Sequence, residues 1–237
     1  MSRHRFMAAP IKKRADRVME CRDEIWKPYQ LTGAIQMYEA TGEEVYKDLT
    51  MAGLNRLEEI SEGLPVQDGL AYFFALDQTG NEKYRQKIET LVSQYDWTPE
   101  FMPFVTAYET RYKRKEHYNE IAALFRKKKG FTGCDLVALI ETVCQMSEEI
   151  YEYYRELRDL FKTVIKGKIK ELPDSSESLE IGYSILRACN TGVLQREKYS
   201  GFGELIWKMI ESNNKNTCAG LQEMLKAQHT ILKKQGV

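Results

Sequence analysis

The sequence carries no excess of either charge: 35 Lys and Arg balance 35 Asp and Glu over 237 residues. No global field draws such a chain onto a polyanion, so neither nucleic acid nor a membrane surface is expected as a partner. Long hydrophobic runs are also missing. The longest, Leu70 to Leu76, falls far short of the roughly 20 apolar residues that span a bilayer. No apolar stretch follows the basic residues Arg3, Arg5, Lys12, Lys13 and Arg14, so no secretory signal is read there and a cytoplasmic protein is expected. With 6 Pro and 15 Gly the chain has too few breakers for a low-complexity or collagen-like protein, and its 43% hydrophobic residues are enough to fill a core. The five cysteines (Cys21, Cys134, Cys144, Cys189, Cys218) are odd in number, far apart and without a CxxC pair. That spacing excludes a disulfide framework and a zinc site and leaves reduced thiols. His4, His117 and His229 are too dispersed to share a metal, and no G-x-S-x-G, P-loop, Rossmann or H-E-x-x-H motif occurs. No cofactor and no metal are expected.

What the sequence does have is apolar residues at helical spacing almost throughout, with hardly any period-two alternation. The fold class is all-α. Between Glu149 and Leu172, Ile150, Tyr154, Leu157, Phe161, Val164, Ile165 and Ile169 recur at three- and four-residue steps and form one apolar stripe. Reading from breaker to breaker predicts about twelve helices, near 11–24, 29–40, 43–62, 68–78, 81–95, 99–111, 115–129, 133–147, 149–172, 177–190, 195–212 and 216–234. Residues 1–10 are expected to be a flexible tail, and 11–237 a single domain.

The junctions repeat. Glu39-Ala40-Thr41-Gly42-Glu43-Glu44-Val45-Tyr46 matches Asp77-Gln78-Thr79-Gly80-Asn81-Glu82-Lys83-Tyr84, and Arg114 to Tyr118 and Asn190 to Tyr199 are degenerate copies. Gly suits the left-handed residue that ends one helix, acidic residues suit the positive start of the next, and the Tyr packs back on the hairpin. Six hairpins of about 40 residues fit an α-solenoid or a closed toroid. The last hairpin, Tyr199 to Leu232, is as apolar as the first, which favours closure.

The segments Gly69 to Tyr84, Phe101-Met102-Pro103-Phe104 and Ser178 to Tyr199, with Leu186-Arg187-Ala188-Cys189-Asn190-Thr191-Gly192-Val193-Leu194 inside the last, resemble the unsaturated rhamnogalacturonyl hydrolases of glycoside hydrolase family 105. The resemblance implies an (α/α)6 barrel whose inner helices line a cavity, with a mouth at their N-termini. It further implies hydration of an unsaturated uronic acid by an aspartate without metal, and a small uronic-acid oligosaccharide as ligand. The chain departs from that pattern in three places. Leu64, three residues before Gln67, and Thr98, four before Met102, stand where the family has its aspartates, and Lys127 to Cys134 runs almost directly between helices where the family has a long loop. The implied protein is carbohydrate-related and weak or inactive as a hydrolase. The alternative is a non-catalytic toroid that binds a sugar, a peptide or a protein partner.

If chemistry survives, the sites implied are Asp68, Asp96 and Glu100 as catalytic carboxyls, with Gln67, Trp97 and Trp26 against the substrate. The plainer reading makes Asp68 a first-turn residue, Thr98-Pro99 an N-cap and N1 pair, and Glu100 a dipole-complementing charge. Arg126 to Lys129, before Gly130, reads as a helix C-terminus, with an anion site as the alternative. Tyr153 stands off the stripe of its helix, and Trp207 reads as hairpin packing.

Overall fold

The computed structural model describes residues 27–235 apart from 60–62, 95, 113, 148, 173–174 and 214–217. The expected tail, the helix expected over 11–24, and His4, Cys21 and Trp26 lie outside the described residues. Within them are eleven α-helices and no strand: α1 (Gln30–Thr41), α2 (Glu44–Glu59), α3 (Leu70–Thr79), α4 (Glu82–Gln94), α5 (Met102–Tyr112), α6 (Tyr118–Lys127), α7 (Gly133–Gln145), α8 (Tyr151–Lys168), α9 (Ser178–Asn190), α10 (Arg196–Asn213) and α11 (Ala219–Lys234). Short 3-10 turns cover Val66–Asp68, Pro99–Phe101 and Ile169–Glu171.

The repeated junctions fold alike, bond for bond. Gly42 and Gly80 adopt φ of 74° and 64° and donate their N–H to the carbonyls of Tyr38 and Leu76. Thr41 and Thr79 donate their hydroxyls to Met37 and Ala75, and the same oxygens accept the N–H of Glu43 and Asn81 just past the turn. In the third copy no glycine is present, and Lys115 takes the left-handed conformation at φ 55°. There the buried carboxylate of Glu109 replaces the threonine and accepts the N–H of Glu116. Tyr84, Tyr118 and Tyr199 pack back as buried side chains, and Tyr46 is half-buried. On α8, Leu157, Phe161 and Ile165 of the predicted stripe are fully buried.

Helices α1, α3, α5, α7, α9 and α11 each pack on the next to make an inner ring, with α2, α4, α6, α8 and α10 outside it, each against the helix before it. The ring closes because α11 packs on α1, its broadest helix contact. This is an (α/α)6 toroid, not an open solenoid. Closure depends on small residues. A Cβ on Gly220 would lie 2.3 Å from the Tyr29 carbonyl carbon, and one on Gly33 would lie 2.6 Å from the Gly220 oxygen. Side chains longer than a hydrogen atom would hold the two backbones apart.

Gly220→Ala is expected to destabilise the fold by about 1–3 kcal/mol through this overlap, lowering the melting temperature by several degrees. Gly201→Ala, inside α10 with no atom within 4 Å of the added carbon, is expected to stabilise by about 0.5–1 kcal/mol through helix propensity alone. Thermal melts of the two variants check the contrast, and equal effects would refute the account of the seam.

Candidate functional site

At the N-terminal ends of the inner helices, where the resemblance implies a mouth, Asp68, Gln67 and Trp97 make contacts within the protein. Asp68 is 1% exposed and caps a helix other than its own: its Oδ1 accepts the N–H of Thr32 at 2.8 Å, at the start of α1. The Gln67 carbonyl beside it accepts the Thr32 hydroxyl. α1 needs this outside help because its N-cap, Tyr29, sits in the left-handed region at φ 69° with no side-chain cap. The Tyr29 ring is buried, and burial first, then Cys134, Glu100, Cys218 and Glu180 around it, push its hydroxyl far above the ordinary range. Leu64 is buried, and Phe101 and Phe104 stack at 5.1 Å beneath the same end. Asp96 and Thr98 are exposed, Glu100 is half-buried, and Trp97 packs edge-on against His117, whose Nδ1 is paired with the buried Glu109.

The basic run is also engaged: Arg126 grips Glu156 and Lys128 pairs with the buried Asp135. Tyr153 stacks on Tyr118, Tyr151 on the same helix is exposed, and Trp207 stacks on His229 at 5.1 Å.

A cavity of about 290 Å³ lies inside the ring toward the other face. Ile35, Gln36 and Glu39 of α1, Phe73, Phe74 and Asp77 of α3, Thr110 and Arg111 of α5, Glu141 and Gln145 of α7 and Arg187 of α9 contribute to its wall. Most of these stand in the C-terminal halves of their helices, on the side of the Thr-Gly turns. The rim is exposed at Glu39 and Asp77, and the floor is buried. That floor is one chain of hydrogen bonds across four inner helices. Asn190 donates to Gln228, Gln228 to Gln36, Gln36 to the Tyr183 hydroxyl, and Tyr183 to Glu141. Arg187 completes it, donating from Nε to Glu141 Oε1 at 2.9 Å. At the rim Arg111 forms a two-pronged pair with Asp77. Glu39 has no such partner among the described residues, and burial pushes its carboxyl above the ordinary value, opposed by Arg187 and reinforced by Glu141.

None of Asp68, Asp96, Glu100, Gln67 and Trp97 lines this cavity. Sequence reasoning passed over the residues that do, although one signal was in hand: Glu39 and Asp77 are the first letters of the two matching repeats. Equivalent positions in a ring of repeats face the same axis. Among the described residues no cluster of His, Cys, Asp and Glu suits a metal ion, and no helix is long and apolar enough to cross a membrane.

No known protein-family profile matches the sequence, and no curated protein matches it. A solved structure, described as a glycosyl hydrolase family 88 protein from Bacteroides vulgatus, is similar in fold at a TM-score of 0.66 and 13% identity, over 96% of this chain and 99% of that one. The likeness confirms the toroid.

Burial lifts the Asp68 carboxyl to about 6, against lowering hydrogen bonds from the N–H groups of Thr32, Leu31 and Gln30. The folded protein thus holds this proton more tightly than the unfolded chain, whose aspartates titrate near ~3.9. Its contribution is fully favourable below that value and is lost as pH rises toward 6. Asp68→Asn, which keeps an acceptor without a charge, should gain on the parent by about 2 kcal/mol between pH 4 and 7. Chemical denaturation across that range measures it, and parallel profiles would refute the assignment.

Proposed function

We propose that this chain is a sugar-binding toroid that keeps the architecture of the six-hairpin glycosidases without their hydrolytic chemistry. The cavity carries the reading. It is concave and lined by Phe73, Phe74, Ile35 and Leu70 together with polar groups, which is the composition of a small-molecule site. Its 290 Å³ equals the space of roughly ten water molecules at ~30 Å³ each, a fit for about one sugar ring. The half-buried Phe74 ring supplies apolar surface against which a sugar ring can lie.

Loss of chemistry rests on the opposite end. Leu64 and Thr98 stand in place of the aspartates that the family 105 resemblance implies, and Asp68 is committed to the first turn of α1. A general acid must reach the reacting group, and a carboxyl 1% exposed and bonded to the Thr32 N–H does not. The similar fold of a protein described as a glycosyl hydrolase supports the carbohydrate side of this reading. A descent from unsaturated uronyl hydrolases, with the family aspartates replaced and a cavity kept toward the far end of the ring, accounts for both halves.

Calorimetric titration with saturated and unsaturated uronic disaccharides and with simple monosaccharides tests it, with absorbance of the unsaturated bond followed in the same samples. Binding heat without loss of absorbance is expected. Loss of absorbance that disappears in Asp68→Asn or Asp96→Asn would overturn the reading in favour of an enzyme. Silence toward every sugar would overturn it in favour of a peptide or protein partner.

A further inference from the structure

Resting on that reading, we infer that the cavity selects a sugar ring bearing a free amine, the hexosamine class, with its ammonium seated on Glu39. The charges on the wall decide this. Three carboxyl groups (Glu39, Asp77, Glu141) face two guanidinium groups (Arg111, Arg187). Both cations are already taken: Arg111 by two hydrogen bonds to Asp77, Arg187 by two to Glu141, at 2.9 and 3.3 Å. A uronate would need a free cation, and it would have to break one of these pairs to find one. Freeing Arg187 would leave the buried Glu141 carboxylate uncompensated, which is costly, and freeing Arg111 would leave the Asp77 carboxylate beside the incoming uronate as a like charge.

The neutral polar groups are committed as well. Gln36 donates to Tyr183 and accepts from Gln228, Thr110 donates to the Gln145 carbonyl and shares a hydrogen bond with the Tyr118 hydroxyl, and Thr32 is bonded through both its N–H and its hydroxyl. What remains for a ligand is the Glu39 carboxylate and the Gln145 side-chain amide, in a wall that also contains the Phe73 and Phe74 rings. A carboxylate, an amide and an aromatic wall match an ammonium, hydroxyls and the carbon face of one ring.

Titration of the intact chain with glucosamine, glucose and glucuronate separates the possibilities. Glucosamine is expected to bind at least about tenfold more tightly than glucose, the usual scale of a charge-assisted hydrogen bond, and glucuronate more weakly than glucose. Glu39→Gln, shown folded by its melting curve, is expected to bring glucosamine and glucose within about twofold of each other. Equal affinities in the parent chain, tightest binding of glucuronate, or an amine preference that survives Glu39→Gln would each overturn the inference while leaving sugar binding intact. Binding of none of the three would overturn the inference together with the reading beneath it.

Discussion

Two glycines in contact, Gly33 on α1 and Gly220 on α11, set the geometry on which the rest of the molecule depends. Backbones this close leave no room for a Cβ, so the first and last described inner helices approach as only Gly permits. That approach brings Gly220 against the carbonyl of Tyr29, and Tyr29 holds a left-handed conformation that L-residues rarely adopt. An N-cap in that conformation offers α1 no side-chain acceptor. Asp68, arriving from a turn 36 residues further along, supplies one. The carboxyl of Asp68 is thereby engaged at the start of α1, beside the seam where the ring closes.

The same seam organises the interior. Gln36 on α1 and Gln228 on α11 meet across it and pass their hydrogen bonds on to Tyr183, Glu141 and Arg187, so each of these five side chains has a partner in the low-dielectric centre of the ring. Satisfied networks of this kind fix one arrangement of the helices that carry them. They also withdraw charges from chemistry, since a guanidinium held by its own carboxylate is not available to a ligand. The cavity inherits its selectivity from what this row leaves over.

Much of the architecture was legible in the sequence, because it rests on local rules. The stripe from Leu157 to Ile165, the Thr-Gly turns and the returning tyrosines are short-range patterns, and the turns at Thr41-Gly42 and Thr79-Gly80 share the same hydrogen bonds. Even the degenerate third copy kept its left-handed residue, with Lys115 in place of glycine. The candidate site was less legible, since its members meet only in three dimensions. Asp68 reads as a residue of its own first turn until the fold lays α1 beside it, and Trp97 reads as a sugar platform until His117 packs on it. The glycines inside the patterns of α1 and α11 were the available sign of a close approach, and the acid before each Thr-Gly was the available sign of the rim.

Closure of the ring also fixes an order of events. Each hairpin joins residues near in sequence, whereas the bond between Gln36 and Gln228 joins residues 192 apart. Closing that span instead of one of about 38 residues costs ~1.4 kcal/mol more in chain entropy. The price falls due before any seam contact forms, so the hairpins assemble first and the seam is zipped last. Until then the chain is an arc with two uncovered ends, and the polar row through the centre has no far side. The cavity is therefore a property of the finished circle, the last thing the folding chain acquires and the first thing it loses when the circle opens.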